Sequence, residues 1–282
     1  MPPLDRVYAY RDQESMGPTR WAPRKVYCTR TPDHQDAPGT LHVVKFCQGK
    51  HGAAAMISEV LCRELYRAGG IAVLDAFVVC ASSSFADSWN GTPGLPFKIN
   101  PGLYFGTRYL DDVMPGPPIP YADLEDPGQL LDIWVFDSWV CNIDRPVLGN
   151  LLMTPLGRKT RWRLIASDQS DCFCGSELFS NGEWRERMRT RPQAACVKIP
   201  EAIADNGGTV AIQNRIEKAR VALASFGAAV DQVPPDWWEL AKINPEVIEE
   251  ALLGRLDDLP RVLNVEQWGE FDYGQFDGIP II

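Results

Sequence analysis

The 282-residue sequence predicts an α+β protein of two lobes, with a small β-rich lobe that carries one helix followed by a larger, mostly helical lobe. Three observations lead to this fold class. Short segments rich in Val, Tyr and Thr fill the first part of the chain. The stretch MPGPPIP (114–120) is rich in proline and glycine, as rigid connectors are. Long amphipathic segments follow it. We therefore expect an N-terminal lobe at residues 1–112 and a C-terminal lobe at 113–282.

The first lobe is expected to contain five strands and one helix. The helix is AAAMISEVLCRELYRAG (53–69), in which apolar residues recur at helical spacing and a Gly-Gly pair ends the pattern. The segment SSSFADSWNGTPGLPFKINPG (82–102) is rich in Gly, Pro and Ser and is expected to be a surface loop. The predicted strands are DRVYAY (5–10), RKVYCTR (24–30), GTLHVVKF (39–46), IAVLDAFVVCA (71–81) and LYFGTRYLDDV (103–113).

The second lobe is expected to be helical except for two short strands. Proline at the first turn marks the start of the last two helices. The predicted helices are PGQLLDIWVFDSWVCNI (127–143), TVAIQNRIEKARVALASFG (209–227), PPDWWELAKI (234–243) and PEVIEEALLGRLDDLPRVL (245–263), and the strands are NLLMTP (150–155) and RWRLIASD (161–168).

Composition excludes several classes of partner. The formal net charge of −9 argues against nucleic acid and anionic membranes, because both select basic surfaces. No apolar run reaches the length of a membrane-spanning helix, and the opening residues lack the pattern of a signal peptide. The eight cysteines include no CxxC pair, so we expect reduced cysteines in a cytoplasmic protein and no zinc site.

Two residues of the first lobe are suited to binding phosphate. Lys45 ends a predicted strand, so its side chain and that of Val44 point to opposite faces and the ammonium can reach into a cleft. A buried lysine needs a counter-charge, and the following helix offers Glu59. Glu64 is the alternative partner for Lys45. We favour Glu59 because Glu64 lies in RELYR, a basic pattern typical of a solvent-exposed helix face.

The segment NIDRPVLGN (142–150) and the later LIASDQSDCF supply the other groups that phosphoryl transfer requires. Asp144 is the candidate base. Asn150 and Asp168 are candidate ligands for Mg²⁺, which prefers hard oxygen donors, and Asp171 competes with Asp168 for this role. In SMGPTR, Gly17 allows the backbone to approach phosphate closely, helped by Ser15 or Thr19.

These blocks, together with SEVLCRELYRAGGIAV, PGLYFGTRYL and VPPDWWEL, resemble the HipA-like kinase family over nearly the whole chain. The resemblance implies a two-lobed protein-kinase-like fold, use of ATP and Mg²⁺, and transfer to a hydroxyl, most often of a protein Ser or Thr. It assigns phosphate contact to Lys45 and makes Glu59 the helix partner of this lysine. Asp144 matches the catalytic aspartate, and Asn150 and Asp168 match the metal ligands. It also places the adenine against the backbone of Tyr109, Leu110 and Asp111.

Two departures from the family pattern keep alternatives open. Asn150 follows Asp144 by six residues, whereas the spacing in the family is usually five. Pro146 stands at a position where the family often has a histidine. The segment after the last strand reads DQS, with Ser170 where glycine is usual. A pseudokinase that binds nucleotide and regulates without chemistry, a kinase of small molecules, and an enzyme that transfers AMP are the alternatives to a protein kinase.

Overall fold

The computed structural model describes residues 4–16, 23–32, 39–95, 97–115, 123–145, 150–156, 161–190 and 208–263. The fold is α+β, as the sequence predicts, with most strands preceding most helices. Eight strands lie in these ranges: β1 (Arg6–Ser15), β2 (Arg24–Thr29), β3 (Thr40–Lys45), β4 (Ala76–Ala81), β5 (Gly102–Arg108), β6 (Met114–Pro115), β7 (Leu151–Pro155) and β8 (Trp162–Ala166). The helices are α1 (Gly49–Ala68), α2 (Ser83–Gly91), α3 (Gly128–Val140), α4 (Ser176–Asn181), α5 (Trp184–Thr190), α6 (Thr209–Leu223), α7 (Phe226–Val230), α8 (Pro235–Ala241) and α9 (Pro245–Val262).

The first five strands form a closed barrel in the order β1-β2-β3-β5-β4. Neighbouring strands are antiparallel except β1 and β4, which pair in parallel from Arg6 beside Val78 to Ala9 beside Ala81. This parallel pairing closes the barrel and covers what would otherwise be two exposed strand edges. On β3, Val44 is fully buried, while its neighbours Val43 and Lys45 point the other way, into a cavity described below.

The expectation of a single helix in the first lobe is wrong, because α2 forms within the segment expected to be a surface loop. The hydroxyl of Ser82 caps it by accepting a hydrogen bond from the Phe85 amide at 3.2 Å. Phe85 and Trp89, one turn apart, are buried against Phe46, with ring centroids 6.1 and 4.9 Å away. The many Gly, Ser and Pro residues around the helix obscured this short apolar face.

Helix α1 is buried on all sides. Every residue from Gly52 to Tyr66 is buried, and the helix packs against α3, α4, α6, α7 and α8. One contiguous cluster of buried apolar side chains runs from the barrel through α1 to α9. The lobe boundary at residue 112 stays a prediction, since this core is continuous and residues 116–122 lie outside the described ranges.

A second, three-stranded sheet in the order β6-β7-β8 follows the barrel. It begins where Met114 pairs with Met153, and the two predicted short strands, β7 and β8, pair with each other as an antiparallel hairpin. Helices α4 and α5, between this sheet and α6, had no counterpart among the predicted elements. Within the described ranges, no helix combines the length and apolarity needed to cross a lipid bilayer.

Truncation of Leu61 tests the burial of α1. Leu61 is fully buried in α1, whereas Leu253 on α9 is 48% exposed. We expect Leu61→Ala to lower the free energy of unfolding by about 3 kcal/mol, because it leaves a cavity. Leu253→Ala, the matched control, should change it by about 0.5 kcal/mol. Urea unfolding measures both, and equal losses would contradict the packing of α1.

Candidate active site

A cavity of about 450 Å³ lies between the barrel and the β7–β8 hairpin. Asp144 stands beside this cavity, connected to it through Asn150. Gly17 and Thr19 lie outside the described residues, but Met16 and Pro23, on either side of that segment, line the cavity. Seven residues predicted for the site also line it: Lys45, Glu59, Tyr109, Leu110, Asp111, Asn150 and Asp168.

The ammonium of Lys45 bridges two carboxylates from distant parts of the chain. Its Nζ lies 2.5 Å from Oε1 of Glu59 on α1 and 2.5 Å from Oδ1 of Asp168 after β8. The other oxygen of Glu59 accepts the backbone N–H of Gln169 at 3.0 Å. Strand β3, helix α1 and the segment after β8 therefore meet at one buried cation.

Glu64, the rival partner for Lys45, is placed elsewhere. Its carboxylate accepts hydrogen bonds from Arg63 and Arg67 on the same helix. The expectation that Glu64 is solvent-like was wrong, because it is 1% exposed and the two arginines balance its charge within the fold. The basic residues around it are its partners.

Burial and charge together set the protonation of the Lys45 cluster. Burial by itself lowers the pKa of Lys45, but the charges of Asp168 and Glu59 outweigh this effect and raise it, so the ammonium stays protonated. Burial favours the neutral form of Asp168, yet Lys45 lowers the pKa of this carboxyl to about 2. For Glu59, burial prevails over Lys45 and raises the pKa to about 7.

Asp144 and Asn150 are in direct contact despite the six-residue spacing. The amide nitrogen of Asn150 donates to the backbone oxygen of Asp144 at 2.7 Å and to its Oδ2 at 2.9 Å. Residues 146–149, including Pro146, lie outside the described ranges. Burial raises the pKa of Asp144, and the negative charges of Asp171 and Asp168 add to the rise. A carboxylate with a raised pKa accepts protons more readily.

The turn after β8 is built around Asp168. Its φ of 54° is left-handed, a conformation that Asp tolerates better than most residues with a Cβ. The hydroxyl and the backbone N–H of Ser170 donate to Oδ1 of Asp168 at 2.6 and 3.3 Å. Ser170, at the position where glycine is usual, thus holds the carboxylate in place.

Asp171, the competing ligand, faces another direction and does not line the cavity. Its Oδ1 accepts the N–H of Ser176 at the start of α4, and its backbone oxygen accepts the N–H of Ile143 at 3.3 Å each. Asp171 therefore supports the loop that carries Asp144.

The predicted adenine-contacting segment borders the cavity, but one of its amides is already used. The N–H of Tyr109 donates to the oxygen of Leu41 at 3.0 Å, and the ammonium of Lys25 lies 4.3 Å from the centre of the Tyr109 ring. The predicted contact with adenine therefore rests on the carbonyl oxygen of Tyr109 and on the backbone groups of Leu110 and Asp111.

Two further residues of the site escaped the sequence analysis: Asp137 on α3 and Arg145, which follows Asp144. They form a buried ion pair whose nitrogen and oxygen, Nε and Oδ2, are 2.8 Å apart. The signal in the sequence was an aspartate inside the apolar helix VFDSWV, since a carboxylate buried there needs a cationic partner.

The donor set at Asp168 and Asn150 suits Mg²⁺. Asn150 directs its amide nitrogen to Asp144, so its side-chain oxygen is the atom that can face a metal. Asp168 uses Oδ1 for Lys45 and Ser170, which leaves Oδ2 as a ligand. Two hard oxygens beside the negative charge of Asp144 match the preference of Mg²⁺, which keeps several waters.

No protein-family model matches the chain, and no curated protein is significantly similar to it in sequence. Among solved structures it is similar to the Helicobacter pylori proinflammatory kinase CtkA, with a TM-score of 0.55 over 93% of this chain and 97% of that chain. This chain shares the fold of that protein. At 12% sequence identity the likeness establishes the fold alone.

Substitution of Glu59 tests the charge balance at Lys45. Because the pKa of Glu59 rises from its usual 4.5 to about 7 on folding, the folded protein holds a proton that the unfolded chain has released in this pH range. The wild type therefore loses stability relative to Glu59→Gln as the pH rises. Urea unfolding at each pH gives the difference in unfolding free energy, variant minus wild type. We expect this difference to increase by about 1 to 3 kcal/mol from about pH 5 to pH 7.5.

Asp168→Asn is the control for this experiment. The pKa of Asp168 falls from 3.8 to about 2 on folding, so its contribution to stability is complete above pH 3.8 and is lost only in stronger acid. Because the charge of Asp168 also raises the pKa of Glu59, Asp168→Asn is made in the Glu59→Gln background. There the stability difference that Asp168→Asn adds should stay flat from about pH 5 to 7.5. A flat difference for Glu59→Gln as well would show that Lys45 keeps Glu59 ionised.

Proposed function

We propose that this protein is an ATP-dependent phosphotransferase that moves the γ-phosphate to a hydroxyl group. The observation that carries the proposal is the bridge of Lys45 between Glu59 and Asp168, at a cavity that Asn150 also lines. Asn150 in turn bonds to Asp144. A cation for the phosphates, a carboxylate to hold it, metal ligands and a base are the parts that phosphoryl transfer requires.

The chemical step assigns a role to each side chain. Lys45 contacts the phosphates of ATP and offsets their charge. The acceptor oxygen attacks the γ-phosphorus, the bond from that phosphorus to the bridging oxygen of ADP breaks, and ADP leaves. Asp144 orients the acceptor hydroxyl and takes its proton, a role that the raised pKa of this carboxyl supports.

Asn150 and Asp168 would hold Mg²⁺, which when bound neutralises the charge of the transferred phosphoryl group. The adenine would lie against the backbone of Leu110 and Asp111, since both line the cavity. The segment around Gly17 would cover the phosphates, because the neighbouring Met16 borders the same cavity. In this arrangement the nucleotide sits between the lobes 1–112 and 113–282.

The narrower proposal is a HipA-like kinase that acts on a protein Ser or Thr. It rests on the sequence blocks that resemble that family and on the fold shared with a kinase. The net charge of −9 speaks against nucleic acid as a partner. A cytoplasmic location is part of this proposal, and it agrees with the free thiols of Cys28, Cys47, Cys62, Cys80 and Cys172.

Transfer of label from γ-³²P-ATP with Mg²⁺ tests the proposal, with autophosphorylation or a generic protein acceptor as the readout. We expect Asp144→Asn and Asp168→Asn to lower the labelling rate about 10²-fold or more, since each removes a charged group of the reaction. Asp132→Asn is the matched control. Like Asp168, Asp132 is ion-paired. It lies on α3, does not line the cavity, and its carboxylate is 2.9 Å from Nζ of Lys218.

Three other results would each revise the proposal. Label transferred from α-³²P-ATP would show transfer of AMP. Nucleotide binding by the wild type without any labelling would identify a pseudokinase, and labelling of small alcohols in place of proteins would identify a small-molecule kinase. Absence of nucleotide binding would remove the assignment of the site.

A further inference from the structure

One guanidinium group holds the main chain of both proposed metal ligands. Arg145 is 4% exposed, and its Nη1 donates to the backbone oxygen of Asn150 and, at 2.7 Å, to that of Ser167. Asn150 is itself a proposed ligand, and Ser167 directly precedes Asp168. The N–H of Ser167 also donates to the Asn150 oxygen at 3.0 Å, which joins the two ligand segments side by side.

Arg145 is in turn fixed by a fully buried carboxylate. Asp137 accepts from Nε of Arg145 at 2.8 Å and from Nη2 at 3.0 Å, the two-pronged geometry that only arginine offers. Oδ1 of Asp137 also accepts from the side chain of Asn142 at 3.1 Å and from the hydroxyl of Tyr66. The orientation of the guanidinium is therefore set by side chains of α1, α3 and the loop before Asp144.

Tyr66 connects this network to the Lys45 cluster. It lies two turns after Glu59 on α1, hence on the same face of the helix. The helix thus reaches the site twice, through Glu59 at Lys45 and Gln169, and through Tyr66 at Asp137. Burial and the charge of Asp137 raise the pKa of Tyr66 far above its usual value, so its hydroxyl remains a donor.

We propose that Arg145, held by Asp137 and Tyr66, is a positioning residue that sets the spacing of the two metal ligands and thereby the affinity of the site for Mg²⁺. This inference rests on the proposed function. A buried ion pair alone adds little to stability and is often replaceable by apolar side chains. Here, however, the guanidinium spans a carboxylate on one side and two carbonyl oxygens on the other, a geometry that lysine cannot reproduce.

The test is the binding of a fluorescent N-methylanthraniloyl analogue of ATP, titrated in EDTA and at increasing Mg²⁺. It needs no catalytic turnover. The quantity to compare is the Mg²⁺ concentration at which half of the metal-dependent gain in nucleotide affinity is reached. In Arg145→Lys we expect this concentration to rise about tenfold or more, as it does when other residues that orient metal ligands are replaced. Tyr66→Phe should show a smaller rise in the same direction. The affinity in EDTA should equal that of the wild type, because neither residue lines the cavity.

Two buried residues of the same types provide matched controls. Arg255 is 3% exposed and donates to the backbone oxygens of Ser138 and Met188, neither of which is a proposed metal ligand. Tyr104 is 4% exposed and donates to the oxygen of Asn100 at 2.6 Å. Arg255→Lys and Tyr104→Phe should lower the melting temperature without changing the Mg²⁺ dependence of binding.

The outcomes separate the inference from the function beneath it. Arg145→Lys and Tyr66→Phe could both be less stable and yet bind nucleotide with the same Mg²⁺ dependence as the wild type. That result would overturn the positioning role and leave the proposed function intact. If Arg145→Lys does not fold, Tyr66→Phe decides, since it removes only a hydroxyl. A wild type that binds no nucleotide would overturn the proposed function, and the inference with it.

Discussion

The ammonium of Lys45 is the contact on which the site depends. It compensates two carboxylates that burial would otherwise disfavour, and each comes from a different part of the chain, Glu59 from α1 and Asp168 from the turn after β8. Asp168 is ionised, and Glu59, with a pKa of about 7, ionises as the pH rises through that value, which leaves the cluster short of positive charge. The geometry is therefore suited to a cationic ligand, which agrees with the oxygen donors that Asn150 and Asp168 offer.

A second buried cation, Arg145, fixes the main chain around this cluster. The two cations act on different atoms: Lys45 binds a carboxylate oxygen of Asp168, whereas Arg145 binds the backbone oxygens of Asn150 and of Ser167, the residue before Asp168. Helix α1 supplies a partner to each network, Glu59 to the first and Tyr66 to the second. The barrel and the β7–β8 hairpin are thus aligned through one helix.

The sequence predicted the features that depend on local pattern. The helix that carries Glu59, the position of Lys45 at a strand end, and the order of Asp144, Asn150 and Asp168 all follow from periodicity and residue type. Closure of the barrel did not, since it depends on pairing of β1 with β4 across about 70 residues. The buried partners of Glu64 and of Asp137 were missed because burial of a charged residue is a property of the tertiary structure, and α2 because its apolar face spans little more than one turn.

The complete burial of α1 limits how this protein can be regulated. An outward movement of the helix would expose side chains such as Ile57, Leu61 and Leu65, together with the apolar side chains that pack on them. The free energy required is on the order of 10 kcal/mol, which is comparable to the whole stability of a domain. We therefore expect α1 to keep its position in the fold. Under the proposed function, control would therefore act elsewhere, for example on the entry of ligands.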